Sequence, residues 1–258
     1  MKRIIAIANQ KGGVGKTTTA INLSAALANF HHRVLLIDMD PQGNASRGLG
    51  FDITMISHTI YHCLMEDYDI NRAIKKTIVK NLDLLPANIQ LAMMDIEKIK
   101  QDNPYELLKS KISEIRKKYD YILIDCPPSF GWISMNALSA ATSVLIPVQC
   151  EYFAMSAVSQ ILSVLTSIQS KSNPNLEIEG FLLTMYDPRK RMDMEISTEI
   201  RGLFKENTFY TSIPRNVSIP ESNQKGMPVT LYHPSSTGSV SYLNLAKELL
   251  DKHSNQNR

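Results

Sequence analysis

The chain has 258 residues, 43% of them hydrophobic and 21% charged, with a formal net charge of +3. Those proportions suit a soluble globular protein, and a charge this small does not by itself argue for a nucleic-acid partner. No apolar run reaches the ~18 residues needed to span a membrane, and no low-complexity tract or internal repeat is present.

Lys2 and Arg3 precede only a short apolar stretch, which runs straight into a glycine-rich loop, so no signal peptide is expected. Cys63, Cys126 and Cys150 are few, odd in number and widely spaced. Without a Cys-x-x-Cys or Cys/His cluster they read as reduced cytosolic thiols, not zinc ligands.

In chain order, the first predicted strand is Arg3–Asn9, and it opens directly into Asn-Gln-Lys-Gly-Gly-Val-Gly-Lys-Thr-Thr-Thr at positions 9 to 19. A helical pattern follows over Thr17–Asn29. Strand, glycine-rich loop and helix form the context of a phosphate-binding loop. Backbone amides there point at phosphates and bring partial positive charge. Gly12, Gly13 and Gly15 let the backbone approach closely. Lys16 reaches the β/γ-phosphates, and the Thr17 hydroxyl is placed to ligate Mg²⁺.

The second predicted strand, Arg33–Asp38, ends in Asp38-Met39-Asp40-Pro41. Two acids one residue apart at a strand end are placed to act on metal and water, and they share a face while the strand persists. A strand at Leu82–Pro86 follows. The helix Tyr105–Lys118 carries Leu107, Leu108, Ile112 and Ile115 on one face. The strand Tyr121–Asp125 ends in an acid, the Walker B form, whose carboxylate supports a Mg²⁺ shell.

Strands at Ser143–Val148, Ile178–Met185 and Tyr210–Ile213 alternate with helices at Ala154–Ser170, Met194–Lys205 and Ser239–Lys252. Several strands are unbroken Val/Ile/Leu runs, as expected for strands covered on both faces. The alternation predicts one α/β domain over residues 1–258. It would be a doubly wound, mostly parallel sheet with helices on both faces, with ligands at the carboxyl ends of the strands.

The loop also departs from the ordinary phosphate-loop pattern. Gln10 stands where a glycine is usual, and a second lysine, Lys11, follows it. Lys-Gly-Gly-x-Gly-Lys-Thr is the deviant Walker A form of the P-loop NTPases. Beside it stand Asp-Met-Asp-Pro-Gln-Gly-Asn-Ala at Asp38–Ala45 and Ile-Asp-Cys-Pro-Pro-Ser at Ile124–Ser129. Ile-Pro-Val-Gln-Cys-Glu-Tyr-Phe-Ala at Ile146–Ala154, Leu-Leu-Thr-Met at Leu182–Met185 and Ile-Pro-Arg-Asn-Val at Ile213–Val217 follow.

In this order the motifs resemble the ParA/Soj family of ATPases that segregate plasmids and chromosomes. The resemblance implies an ATP-driven sandwich homodimer that binds double-stranded DNA without sequence preference. A ParB/Spo0J-like activator would stimulate slow hydrolysis and release it, and the protein would be cytoplasmic and nucleoid-associated. Carried over by position, Lys11 contacts the partner subunit's phosphates. ATP is held by Gly12, Gly13, Val14, Gly15, Lys16, Thr17 and Thr18, Mg²⁺ is held by Thr17, Asp38 and Asp125, and Asp40 orients the attacking water. Met185, Pro214 and Asn216 lie near the adenine.

For the DNA surface the resemblance points to Arg189, Lys190, Arg191, Arg215 and Lys225. Two departures stand out. Ser218 occupies a position that is usually basic in Soj-like members, and their usual Ser-Glu-Ala-Pro-Ser-His-Gly-Lys-Pro becomes Ile-Pro-Glu-Ser-Asn-Gln-Lys-Gly-Met-Pro at Ile219–Pro228.

Other readings share the loop. A MinD-like membrane ATPase needs a basic amphipathic C-terminal helix, whereas the segment Asp251–Arg258 is polar throughout. A nitrogenase-iron-protein-like reductase needs bridging cysteines, and only Cys126 lies near the nucleotide motifs. A ParA-fold regulator of replication initiation would carry the same motifs.

Overall fold

The computed structural model describes residues 3–96 and 105–256. Eight strands form one sheet: β1 (Arg3–Ile7), β2 (Val34–Asp38), β3 (Lys75–Lys76), β4 (Leu82–Leu85), β5 (Tyr121–Asp125), β6 (Ser143–Gln149), β7 (Glu177–Tyr186) and β8 (Ile213–Pro214). Their order is β3-β4-β2-β5-β1-β6-β7-β8. Every pairing is parallel except that of the short edge strand β3 with β4.

Alternate side chains of each central strand enter different cores. Ile4, Ala6, Leu35, Ile37, Ile122, Ile124, Val144 and Ile146 join one core, which also holds residues of the helices Leu107–Ile115, Trp132–Ala140 and Ala154–Lys171. Ile5, Ile7, Leu36, Leu123, Leu145 and Leu182 join the other, with α1 (Lys16–Asn29) and the helix Thr237–Gln256. Because both faces are covered, nearly every residue of β1, β2 and β5 is buried. This is the apolar-run signature expected of an internal parallel strand. The helix Thr237–Gln256 spends its apolar side, Tyr242, Leu245, Ala246 and Leu249, on that second core.

The expected strand at Tyr210–Ile213 is displaced. The paired residues are Ile213–Pro214, and upstream only Thr208 bridges to Phe181. Between them, Tyr210 is 87% exposed. The amides of Tyr210 and Thr211 donate to the Glu248 carboxylate at 2.6 and 2.9 Å instead of to a neighbouring strand. Phe209 is turned under Gly180, where a Cβ would come within 2.7 Å of its ring.

The helix expected from Tyr105 begins at Leu107, and its last turn, Arg116–Lys118, tightens to a 3₁₀ form. Among the described residues no helix is long and apolar enough to cross a membrane.

Candidate nucleotide site

The glycine loop joins β1 to α1 at the carboxyl end of the sheet. Asn9 is buried at its base. Its Nδ2 donates to the Pro147 carbonyl of β6 at 2.8 Å, and its Oδ1 accepts from the Lys11 amide at 3.0 Å. Farther along, the Val14 carbonyl accepts from Thr184 Oγ1 of β7 at 2.8 Å. The loop is therefore pinned to the two strands beyond β1 on that side of the sheet. Gly13 and Gly15 adopt φ of +77° and +89°, a left-handed conformation that strains other residues. A Cβ at Gly12 or Gly13 would meet nothing within 4 Å, so the chain itself leaves the space above the loop open.

Lys16 is the first residue of α1 and is only 7% exposed. Its Nζ lies back over the loop and donates to the Lys11 carbonyl at 2.9 Å. Burial lowers its pKa below the usual lysine value, although Asp125, Cys126 and Asp40 pull the other way. An anion at this point would relieve that cost. The Lys11 ammonium is ion-paired with Glu151, just past the end of β6.

The three acids meet beside the loop. Asp125 is fully buried, and neither of its oxygens has a hydrogen-bond partner of good geometry. Burial, followed by the charge of Asp38, raises its pKa well above the carboxylate range, and the Thr17 hydroxyl offsets part of this. Asp38 is also buried, and desolvation pushes it up to about 6. Its oxygens are committed, however. Oδ1 accepts from the Asp40 amide at 3.1 Å, and Oδ2 accepts from the Ser46 amide and hydroxyl at 2.8 and 2.7 Å. Asp38 thus anchors the loop that carries Asp40. Asp40 Oδ1 accepts from the Gln42 amide at 2.9 Å, and its side chain lines the cleft above the glycine loop.

Among the described residues no set of three or more His, Cys, Asp or Glu side chains could enclose a metal ion. Mg²⁺ ordinarily takes one or two protein ligands and completes its shell with water and phosphate oxygens. The unpartnered Asp125 carboxylate beside the Thr17 hydroxyl fits that requirement.

Two cavities adjoin. One, of about 550 Å³, runs over Gly12, Gly13, Lys16, Thr17, Asp40 and Pro127. The other, of about 480 Å³, is walled mainly by Met185, Ile213, Pro214, Val217, Ile219 and Pro220, with Asn216 and Asn223 among its polar residues. Both include Gly15, Thr18 and Met185. Met185, at the end of β7, has φ of +52°, a strained value for a side-chain-bearing residue that turns the chain into the wall between the cavities.

The basic residues are scattered. Arg189 is paired with Asp187 and Arg191 with Glu195, at 2.9 and 2.7 Å, on an exposed surface. Lys190 and Lys225 are exposed. Arg215 lines the apolar cavity. Ser218 is buried, its hydroxyl 3.0 Å from His233 Nδ1. Sequence reasoning assigned no role to Thr184, Ser46, Glu151 or Asn223. Glu151 could have been flagged, since it sits just beyond a strand end where ligands collect.

Residues 2–178 match the family model for an AAA domain. Over 249 residues the chain is 47% identical to the sporulation initiation inhibitor protein Soj of Bacillus subtilis, covering 96% of this chain and 98% of that protein. Over 250 residues it is 46% identical to the chromosome partitioning protein ParA of Myxococcus xanthus, covering 97% and 88%. The chain belongs to the ParA/Soj family of ATPases.

The ParA/Soj fold seen here is also that of cobyrinic acid a,c-diamide synthase from Mycobacterium smegmatis, solved with bound ADP and magnesium. The TM-score is 0.87 at 33% identity, covering 100% of this chain and 97% of that one. The doubly wound P-loop architecture and the motif order of the ParA/Soj family are thus both present.

Proposed function

We propose that this partitioning ATPase binds Mg²⁺–ATP in the two adjoining cavities, dimerises around it, and in that state binds double-stranded DNA without sequence preference. The observation that carries the reading is the open glycine loop, with buried Lys16 on one side, unpartnered Asp125 on the other and an apolar cavity opening from its end. The triphosphate lies over Gly12 to Thr18 and takes the Lys16 ammonium from the Lys11 carbonyl. The base enters the cavity of Met185, Pro214 and Asn216.

Thr17 and Asp125 hold Mg²⁺, which supplies charge neutralisation at the β- and γ-phosphates. Asp40 positions and polarises the attacking water, while Asp38 fixes the loop on which Asp40 sits. Lys11 leaves Glu151 and reaches the phosphates of a second copy across the interface. Arg189, Lys190, Arg191, Arg215 and Lys225 contribute charge toward DNA phosphates. Dimerisation doubles that charge on one rigid surface, so the second half engages at high effective concentration. A ParB/Spo0J-like activator stimulates hydrolysis and ends the cycle on the nucleoid.

DNA binding by electrophoretic shift on two unrelated duplexes, without nucleotide, with ADP and with ATP, tests the whole reading. Binding confined to ATP and equal on both duplexes is expected. Equal binding without nucleotide overturns it.

A further inference from the structure

The apolar cavity offers two side-chain amides to a base, and they are not equivalent. Asn216 is engaged by the chain through both polar atoms: its Oδ1 accepts from the Ser218 amide at 2.9 Å, and its Nδ2 donates to Thr237 Oγ1 at 2.8 Å. Those bonds tie β8 to the helices Ser218–Gln224 and Thr237–Gln256, so freeing the amide would loosen the cavity wall. Asn223, in the helix Ser218–Gln224, is the opposite case. Its Oδ1 is shielded from water and has no hydrogen-bond partner. It rests toward the short helix Asn44–Gly48, where a Cβ on Gly48 would lie 3.8 Å away.

A buried amide oxygen left unpaired costs about 1–3 kcal/mol. Such a group is retained where something outside the chain satisfies it. Asn223 already lines the cavity, and rotation about its broad terminal torsion exchanges the positions of its oxygen and nitrogen.

We infer that Asn223 determines base specificity at this site, its amide pairing with the edge of an adenine. This rests on the nucleotide reading above. The chemistry selects adenine because an asparagine amide both accepts and donates, and adenine offers the matching pair: the 6-amino group as donor and the adjacent N7 as acceptor. Guanine and hypoxanthine carry a carbonyl at that carbon, which would face the Asn223 oxygen as a second acceptor. The other walls, Met185, Ile213, Pro214 and Ile219, hold a flat ring by contact and distinguish purines poorly.

The test is binding of ATP, GTP and inosine triphosphate by calorimetry with Mg²⁺, for the wild type, Asn223→Leu and Asn223→Asp. Inosine triphosphate differs from ATP at the 6-amino position. Wild type should prefer ATP over both. Asn223→Leu, close in volume, should narrow the ATP-to-inosine-triphosphate ratio by roughly tenfold or more. Asn223→Asp keeps the acceptor and should retain more of the ratio than leucine, and it serves in its place if the leucine variant melts early. An unchanged ratio in both variants, with ATP still bound, overturns the assignment of Asn223 and leaves the nucleotide reading standing. Failure of the wild type to bind any of the three overturns both.

Discussion

The ammonium of Lys11 is paired with the carboxylate of Glu151 in the same chain, while the Lys11 carbonyl receives the Lys16 ammonium. Both lysines of the loop are thus satisfied within one subunit. Lys11 and Glu151 each keep about a third of their side chain exposed. An ion pair in that setting is worth about 0–1 kcal/mol. It can hold the Lys11 side chain against Glu151 yet yield readily to a triphosphate.

Glu151→Gln should therefore favour ATP-dependent association, lowering the protein concentration for half-dimerisation by up to about thirtyfold, since one such pair is released in each of the two subunits. Lys11→Ala should bind ATP and remain a monomer. Light scattering with ATP decides both. A dimeric Lys11→Ala would show that Lys11 does not reach across the interface.

Lys16→Ala should lose nucleotide binding, because the other cation of the loop, Lys11, is engaged by Glu151 in the same chain. Calorimetry with Mg²⁺–ATP gives the answer, and affinity near that of the wild type would contradict the role given to Lys16.

Asp40→Ala should bind ATP and dimerise but hydrolyse it roughly 10²–10⁴-fold more slowly, the usual cost of losing a group that positions a reacting water. Asp38→Asn should instead damage the fold of the loop, since Asp38 accepts from Ser46 and from the Asp40 amide. Phosphate release with a parallel thermal melt separates the two. Wild-type turnover in Asp40→Ala would pass the catalytic role to Asp38.

The surface proposed to meet DNA should respond to its own acids. Asp187 neutralises Arg189, and Glu195 neutralises Arg191. Asp187→Asn should tighten DNA binding, while Lys190→Glu with Lys225→Glu should weaken it on every sequence and flatten its salt dependence. Each phosphate that is no longer neutralised takes about 0.9 off the logarithmic salt slope. Binding titrated from low to moderate salt measures this. A slope unaffected by the double change would place the DNA elsewhere.

A buried network far from the nucleotide predicts a pH limit. Glu179 accepts from Ser143 at 2.6 Å and lies 3.0 Å from His253 Nε2. The Tyr121 hydroxyl lies 3.1 Å from His253 Nδ1. Burial alone would raise the pKa of Glu179, but His253, Ser143 and Lys252 together hold it below the ordinary 4.5. A folded pKa below the unfolded one gives stability that is present above about 4.5 and is lost as pH falls through the folded value. Glu179→Ala should cost about 1–3 kcal/mol at neutral pH, because it removes the buried acceptor of the Ser143 hydroxyl. Urea unfolding from pH 3 to 7 checks both, and a variant that matches the wild type at pH 7 refutes them.

The phosphate site was legible because its chemistry is contiguous. Lys11 to Thr17 form one loop, and Asp38, Asp40 and Asp125 each announce themselves after an apolar strand. The helix Trp132–Ala140 left no such trace. It is buried nearly all round, through Ile133, Ser134, Asn136, Ala137 and Leu138, so it has no polar face to set a helical period. The end of β8 was misplaced because Glu248, distant in sequence, captures the Tyr210 and Thr211 amides. The pairing of Arg189 with Asp187 and of Arg191 with Glu195 left no sequence signal either, since it depends on how the helix Arg191–Phe204 begins.

Thr184 and Met185 are neighbours on β7, one holding the glycine loop and the other walling the apolar cavity proposed for the base. A displacement of this strand end moves both seats at once. Adenosine and tripolyphosphate offered as separate molecules should therefore fall well short of intact ATP. Each fragment must order the same strand alone, whereas the joined ligand orders it once, and the covalent link delivers its second half at high effective concentration.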